Sequence, residues 1–574
     1  MNSGRGSGTE GAERRLVTVA AAQFAPVHGD VRANLDVIGS LLELGSARGA
    51  DLVVFPELAT TGYAWASADK VAPFAEPVPG PVTDWLTARC REYGCHVVLG
   101  LAERGGPLAV PGSRAADTTP SAARRPLYNT AVLVGPDGLI GRYRKTKLWS
   151  WDTLWATAGD QPPPVWPTPV GNVGMLICAD MDYPEGTSWL ARSGADIVAA
   201  PTCWSEEPAP SPVWRARAHD GGVPFAVANV SGTEWGTTFA AGSCVIGETG
   251  GLLDHVGDGD GEGLAVAAVD LAAGRRRRRE RATRAPDAMS AAYEALDRNA
   301  QLFPSVQVPR PGGRSRSAGI VVVQGPAGGD AEADLASLTT LLAGERPTLV
   351  VLPTLIAPDL AADPGLLARL ALACHRYPPA EFVLSVLDER TGHTSVLLAA
   401  DGAIVTSFQV SPGGVRTGEG APLRPVVRPW GSVGLLAAAE LLRPEPGRCL
   451  AINGSDLIAA TGRLPDPPAE AASGGTAAVR GTVPPFNLWR VRAGENNCYL
   501  AVANATFPGG RGGRSALQGP DYYDHRAARV TLNSTDERAV ALRITLDPAT
   551  SAGRLAVDKP LLAQRRPDLY TRPA

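Results

Sequence analysis

Three residues in the first third of the chain have types and settings that could do chemistry. Cys178 closes the apolar run 173–177 and is followed by Ala179 and Asp180, then by Tyr183, Pro184 and Glu185. The run reads as a buried strand, and Pro with Glu suits the first turn of a helix. A cysteine at such a junction sits on a sharp turn with backbone N–H groups beside its sulfur, which lowers a thiol's pKa and can hold an oxyanion. It also reads as a small apolar residue finishing a strand. Glu57 ends the apolar run 51–55 just after Pro56; a strand-end carboxylate can move protons, and it can equally be surface at the start of a loop. Lys145 ends a predicted hairpin, strands 128–134 and 138–145 around Gly135, Pro136, Asp137 and Gly138. Beside Arg142, Arg144 and Lys147 it reads as a basic edge or as a catalytic cation.

The elements that must position them follow in order. Residues 1–15 have the composition of a flexible tail, and 16–23 (LVTVAAAQ) form a first strand. Leu35, Ile38, Leu41 and Leu42 recur at helical spacing over 31–48, and 96–101 (HVVLGL) is a further strand. Residues 104–126, rich in Gly, Pro, Ala, Arg and Ser, read as a mobile loop. Strand, helix and strand in that order indicate an α/β layered domain.

Taken together, Phe55-Pro56-Glu57-Leu58, Tyr143-Arg144-Lys145 before Leu148, and Ile177-Cys178-Ala179-Asp180 before Tyr183-Pro184-Glu185 resemble the three signature segments of the carbon–nitrogen hydrolase (nitrilase) superfamily, in the right order. Tyr128-Asn129, Thr157 to Asp160, Trp214 to Ala218, Ala228-Asn229 and Gly242-Ser243 extend the resemblance over about residues 16–304. It implies an αββα sandwich in which Glu57, Lys145 and Cys178 meet at strand ends. Glu57 would act as general base and acid, Lys145 would balance oxyanion charge, and Cys178 would attack the carbonyl or nitrile carbon. The backbone N–H of Ala179 would complete the oxyanion hole with Lys145. The resemblance calls for neither a metal nor an organic cofactor. One position departs from it. Many members carry a second glutamate between the lysine and the cysteine; here Thr153 aligns with it, leaving two readings, that adjacent Asp152 substitutes or that substrate positioning differs.

Self-comparison organises the rest. Residues 320–324 repeat 19–23, Leu335, Leu338, Leu341 and Leu342 lie 300 positions after the first helical set, and 349–353, 433–436, 489–493 and 503–504 repeat 52–56, 173–176, 214–218 and 228–229. Residues 565–570 also resemble a family ending. Thr354 stands where Glu57 would, Phe408-Gln409 where Arg144-Lys145 would, and Ala438 where Cys178 would. None of these replacements supplies a nucleophile, a carboxylate or a cation. The expectation is two αββα (nitrilase-like) sandwich domains in tandem: a catalytic domain over 16–303, a Pro/Gly/Ser-rich linker over 304–317, and a catalytically dead copy over 318–574, paired as an internal pseudo-dimer with room for further homo-oligomers.

Length and composition set the outer bounds. The 574 residues suit two to four domains at about 150 each. With 20% charged residues and a net charge of −4, no nucleic-acid partner is indicated, and the run 275–279 reads as a solvated basic segment. The eight cysteines form neither a CxxC pair nor a zinc-spaced cluster, and fit reduced thiols. Without an apolar signal core or an 18-residue apolar run, the expected location is cytoplasmic, with no membrane partner.

The expected activity is amidase-type hydrolysis of a non-peptide C–N bond through a thioester, on a small amide, carbamoyl or nitrile substrate. The alternatives are nitrile hydrolysis, acyl transfer to an amine, and a non-catalytic scaffold. True nitrilases typically have Trp then Glu after the cysteine, where this chain has Ala179 and Asp180. Tyr63, Asp182 and Trp204 are the substrate-side candidates, with Trp65, Glu206 and Glu207 as further loop residues. Asp182 suits a neutral or cationic substrate, or caps the following helix.

Overall fold

The structure is a computed structural model that describes residues 15–106, 125–257 except 206 and 208, 261–283, and 318–546 with interruptions, the longest being 465–482, 520–529 and 532–539. The tail 1–14, most of the loop 104–126, Glu206, the linker 304–317 and the segment 565–570 lie outside the described residues.

The first half runs β1 (Leu16–Gln23), α1 (Val31–Ala47), β2 (Leu52–Val54), α2 (Ala68–Val71), α3 (Pro81–Tyr93), β3 (His96–Arg104), β4 (Leu127–Gly135), β5 (Gly138–Arg144) and α4 (Asp152–Trp155). It continues with β6 (Val165–Thr168), β7 (Gly171–Met175), a 3₁₀ turn (Cys178–Asp182), α5 (Pro184–Arg192), β8 (Ile197–Thr202), α6 (Pro212–Gly221) and β9 (Phe225–Asn229). A small hairpin, β10 (Thr233–Glu234) and β11 (Thr237–Thr238), precedes β12 (Cys244–Ile246), β13 (Leu252–His255), β14 (Gly263–Asp270) and α7 (Leu271–Thr283). Two six-stranded mixed sheets result, ordered β14-β1-β2-β3-β4-β5 and β13-β12-β9-β8-β7-β6. Their inner faces meet through β1 with β9 and β3 with β8.

The sequence explains the placement. Asp30 accepts from the Ala33 N–H at 3.0 Å and starts α1, whose Ile38, Leu41 and Leu42 are buried against Val53, Phe55, Leu86 and Cys90. The run 275–279 differs from its solvated reading. Arg275 and Arg278 of α7 both bind Asp196, and only Arg276 and Arg279 of the five are exposed, because α7 lies along the loop before β8.

The second half runs β15 (Ala318–Gln324), α8 (Ala331–Thr339), β16 (Leu349–Ile356), α9 (Leu366–Cys374), β17 (Glu381–Asp388), β18 (Gly392–Leu398), β19 (Ile404–Val410), β20 (Arg416–Thr417), β21 (Val426–Arg428) and β22 (Gly431–Ala437). After a 3₁₀ turn (Ala438–Leu442) come α10 (Pro444–Ile452), β23 (Leu457–Gly462), α11 (Pro485–Asn496), β24 (Tyr499–Asn504), the pair β25 (Thr506–Phe507) and β26 (Arg511–Gly512), β27 (Ala516–Gln518), β28 (Val530–Thr531) and β29 (Val540–Leu546). Its sheets are ordered β20-β19-β18-β17-β16-β15-β29 and β21-β22-β23-β24-β27-β28. Apart from the added β20, the order of the strands along the chain and within the sheets matches that of the first half.

The compact units do not follow the two halves. One unit comprises residues up to Cys178 with Trp189–Pro210 and Gly221–Arg281; the other takes Ala179–Ser188, Ser211–Asp220 and everything from Ala282. Within the second unit, Arg217 and Asp220 of α6 form a closed, fully buried ring with Arg492 and Glu495 of α11. Arg448 of α10 binds Glu185 at 3.0 Å.

Among the described residues no helix is long and apolar enough to cross a membrane. The backbone of Glu57 is seated by Gly100 of β3, where an added Cβ would meet the Glu57 Cα at 2.6 Å and the Pro56 carbonyl oxygen at 2.7 Å. Replacing Gly100 with Ala should therefore displace Glu57, costing about 1–3 kcal/mol of stability in denaturant titrations and lowering turnover; unchanged values for both would show that the strand can yield.

Candidate functional site

Glu57, Lys145 and Cys178 all come from strand ends of the first unit. The β2 ladder stops at Val54 although the apolar run continues, and the chain bends at Glu57 and Leu58, the latter in the left-handed region at φ +47°. Lys145 follows β5, its N–H held by the Asn129 carbonyl at 2.8 Å and its own carbonyl by the Gly159 N–H at 2.8 Å. Cys178 opens the 3₁₀ turn three residues after the end of β7, with φ +45°. A non-glycine residue there stores on the order of 1–3 kcal/mol of strain, held by its surroundings.

The geometry around Glu57 is dense. Its Oε1 accepts from Lys145 Nζ at 2.6 Å and from Asn129 Nδ2 at 2.7 Å, and its Oε2 from the Cys203 N–H at 2.8 Å. Lys145 Nζ also donates to Asp152 Oδ2 at 2.5 Å, and Asn129 Nδ2 to Asp152 Oδ1 at 2.9 Å. Glu57, Lys145 and Asp152 have no exposed surface. So Asp152, at the start of α4, occupies Lys145 from the position next to Thr153.

Burial is the largest influence on Glu57 and raises its pKa; Lys145 opposes this and Asp152 adds to it. Burial alone would lower Lys145, but Asp152 and Glu57 outweigh it and hold the ammonium protonated. Burial and then Glu57 push the Cys178 thiol up, against the pull of Lys145, the Thr202 hydroxyl and the Cys203 N–H. The site thus combines a neutral thiol, a fixed cation and a carboxylate with raised proton affinity, a set suited to proton transfer at the moment of nucleophilic attack. Among the described residues no group of three or more His, Cys, Asp or Glu could hold a metal ion.

Of the substrate-side candidates, Tyr63 lies in this site. Its hydroxyl donates to the Trp149 carbonyl at 2.8 Å and its ring centre is 5.8 Å from Lys145 Nζ. Trp204 is buried beside Cys203, its N–H bound to Asn229 Oδ1 at 2.7 Å. Asp182 is buried in the second unit, and its carbonyl accepts from Arg217 Nη2 at 3.2 Å. Trp65 is core, packed on Phe74 and His28. Two participants had no assigned role in the sequence. Asn129 bridges both carboxylates, and the hairpin register that sets it opposite Lys145 was a usable signal. Glu234 accepts from the Tyr63 and Ala64 N–H groups at 2.9 and 3.1 Å, and nothing in its sequence neighbourhood announces this.

Ladder registers identify the corresponding positions of the second half. Thr354 pairs with Ser385 where Glu57 lies against Gly100, and His393 pairs with Val410 as Asn129 does with Lys145. Val410, one residue beyond the expected Gln409, therefore stands in the lysine position. Thr354 Oγ1 bonds Ser385 Oγ at 2.8 Å and His393 Nε2 at 3.0 Å, and Ser395 Oγ bonds His393 Nδ1 at 3.2 Å.

The carbon–nitrogen hydrolase family profile matches residues 18–279. A nitrilase of Pyrococcus abyssi is 34% identical over 187 residues, spanning 32% of this chain and 64% of that protein. An (R)-stereoselective amidase of Pseudomonas sp. is 32% identical over 245 residues, 42% of this chain and 80% of the amidase. A solved amidase from Nesterenkonia sp. is 28% identical, with 46% of this chain aligned to 95% of it at a TM-score of 0.37. The chain belongs to the carbon–nitrogen hydrolase family.

Because Asp152 raises the pKa of Glu57, Asp152→Asn should move the acidic limb of an activity–pH profile toward lower pH. It should also cut turnover about tenfold or more by loosening Lys145. A limb that stays in place would separate Asp152 from the electrostatics of Glu57.

Proposed function

We propose that this chain is a cofactor-independent, amidase-type hydrolase that cleaves a non-peptide carbon–nitrogen bond through a Cys178 thioester. The observation that carries the reading is the Glu57 carboxylate, held by three donors of which one is a buried ammonium, in the same unit as a cysteine kept at positive φ. Glu57 takes the thiol proton as Cys178 Sγ bonds to the amide carbon. Lys145 and the N–H of Ala179 stabilise the oxyanion. On collapse the C–N bond breaks and Glu57 returns the proton to the departing nitrogen, releasing ammonia or an amine. Water then gives its proton to Glu57 and attacks the thioester; the acid leaves and the proton returns to sulfur. Asp152 keeps Lys145 charged and in place, so that Glu57 remains available as the base. Family relatives named as a nitrilase and an amidase support this chemistry at the level of class.

The second half is, in this reading, a degenerate copy without activity. Its support is a repeated hydrogen-bond network. Asn229 takes the Trp204 N–H on its side-chain oxygen and its own N–H meets Ser243 Oγ, while the Ser243 N–H binds Gln23 Oε1. Asn504, Leu464, Ser515 and Gln324 repeat every one of these bonds, at 2.7–2.9 Å. Thr354, Val410 and Ala438 offer no acid–base pair or nucleophile. Their neighbour His393 is buried, which, with Arg416 nearby, lowers its pKa from 6.5 to about 4.

The decisive assay is ammonia or amine release from aliphatic amides, aromatic amides, carbamoyl amines and nitriles, with and without an added amine acceptor, on wild type and Cys178→Ala. Release confined to wild type, with a trapped acyl adduct on Cys178, is expected. Equal release from the alanine variant would refute the mechanism. Separately, since unfolded chains bind the His393 proton near pH 6.5 and folded ones near 4, stability should fall as pH drops through that window by up to about 3 kcal/mol. His393→Gln should flatten this dependence in denaturant titrations.

A further inference from the structure

The mechanism leaves unused the buried ring of α6 and α11, whose two arginines and two acids sum to zero charge. Arg217 does more than close it. Its Nε donates to the Met181 carbonyl at 2.6 Å and its Nη2 to the Asp182 carbonyl at 3.2 Å. These are the last carbonyls of the 3₁₀ turn that Cys178 opens. Arg217 is in turn fixed by Asp220 at 3.0 Å and by Glu495, 278 residues away, at 2.7 Å. We infer that Glu495 of the second half is a positioning residue for the nucleophile, acting through Arg217 on the far end of the Cys178 turn. The inference rests on Cys178 being the nucleophile, and it gives the degenerate half a role in the reaction.

Two features point from the ring to the reaction. The bonds of Arg217 recur across the ring, where Arg492 Nε donates to the Leu441 carbonyl at 3.0 Å, on the turn that Ala438 opens. Yet only Cys178, and not Ala438, has positive φ. The same clamp therefore grips a relaxed turn in one half and a strained one in the other, and only the strained one carries a reactive group. A clamp is needed where strain must be held: without it the turn can relax and carry the sulfur out of line with Glu57. Removing the Glu495 charge weakens that grip while Asp220 still pairs with Arg217.

The test uses the full chain carrying Glu495→Gln, and the double variant Glu495→Gln with Arg492→Leu. In the double variant Arg217 and Asp220 remain as a balanced pair, so no uncompensated charge is buried. Glu445→Gln, in the first turn of α10, is the control; Glu445 accepts from Ser188 Oγ at 3.5 Å. The rate of Cys178 alkylation by iodoacetamide, followed by mass spectrometry across pH, should fall about tenfold in both Glu495 variants relative to the control, and kcat should fall alike with KM within about twofold. Circular dichroism should match the control in both variants; the melting temperature should match it in the double variant and fall in the single one, which leaves a buried charge unpaired. Alkylation and kcat equal to the control's would overturn the inference. Unfolding of both variants would also overturn it, leaving the ring as a folding element. If the wild type turned over no substrate, the amidase reading would fail, while the alkylation rates would still decide the role of Glu495.

Discussion

The site is governed by one requirement, that an ammonium group with no exposed surface must have its charge matched. Moving such an ion out of water costs several kcal/mol even after the protein relaxes. Here the match is more than complete, since Lys145 faces two carboxylates, Glu57 and Asp152. Burial and charge together decide the protonation states. The two carboxylates hold Lys145 charged, burial with Asp152 adding to it raises Glu57 against the pull of Lys145, and burial and then Glu57 discourage a resting thiolate at Cys178. A site with Glu57 alone would tie its base to the lysine as the sole counter-ion. With Asp152 present, one carboxylate can gain a proton while the other still pairs with the cation.

Backbone shape follows from the same chemistry. In the first half the β2 ladder stops after three residues so that Glu57 can turn inward, and Gly100 leaves room for the bend. In the second half β16 runs on for eight residues through Thr354, and Ser385 occupies the place of Gly100 and bonds its hydroxyl. Cys178 is held at positive φ, and Ala438 is not. The positive φ of Leu58 and Cys178 has no counterpart at Leu355 and Ala438, although β16 keeps a register irregularity between Val351 and Thr354. The fold therefore tolerates the absence of that backbone strain.

How much of this could be read from the sequence depends on how local each signal was. Glu57 and Cys178 stood out because each follows an apolar run, and a hairpin turn fixed the place of Lys145. Asp152 was visible as a carboxylate, but a one-residue offset on a short helix hid which side chain would meet the lysine. The equivalence of Val410 with Lys145 was missed by one residue because the β18–β19 turn is one residue longer than the β4–β5 turn, Leu398 pairing with Ile404 where Val134 pairs with Leu139. Glu234 and Glu495 were beyond reach, since their partners lie 171 and 278 residues away and no periodicity links them.

The two polar clusters also differ in what substitution would leave behind. In the second half the positions of Glu57, Lys145 and Cys178 hold Thr354, Val410 and Ala438, so carboxylate and ammonium are both absent and no orphan charge is buried. Losing one charged partner alone would have left the other unpaired at a cost of about 3–5 kcal/mol. The ring of Arg217, Asp220, Arg492 and Glu495 cannot be dissolved within one half. Each arginine meets an acid from α6 and another from α11, so neutralising either half's pair strands nothing only if both of its members change together. Even then Arg217 would lose the anchor that steadies its grip on the Met181 and Asp182 carbonyls. Chemistry could thus lapse in one half as a self-contained neutral set, whereas the ring binds the two halves to a common constraint.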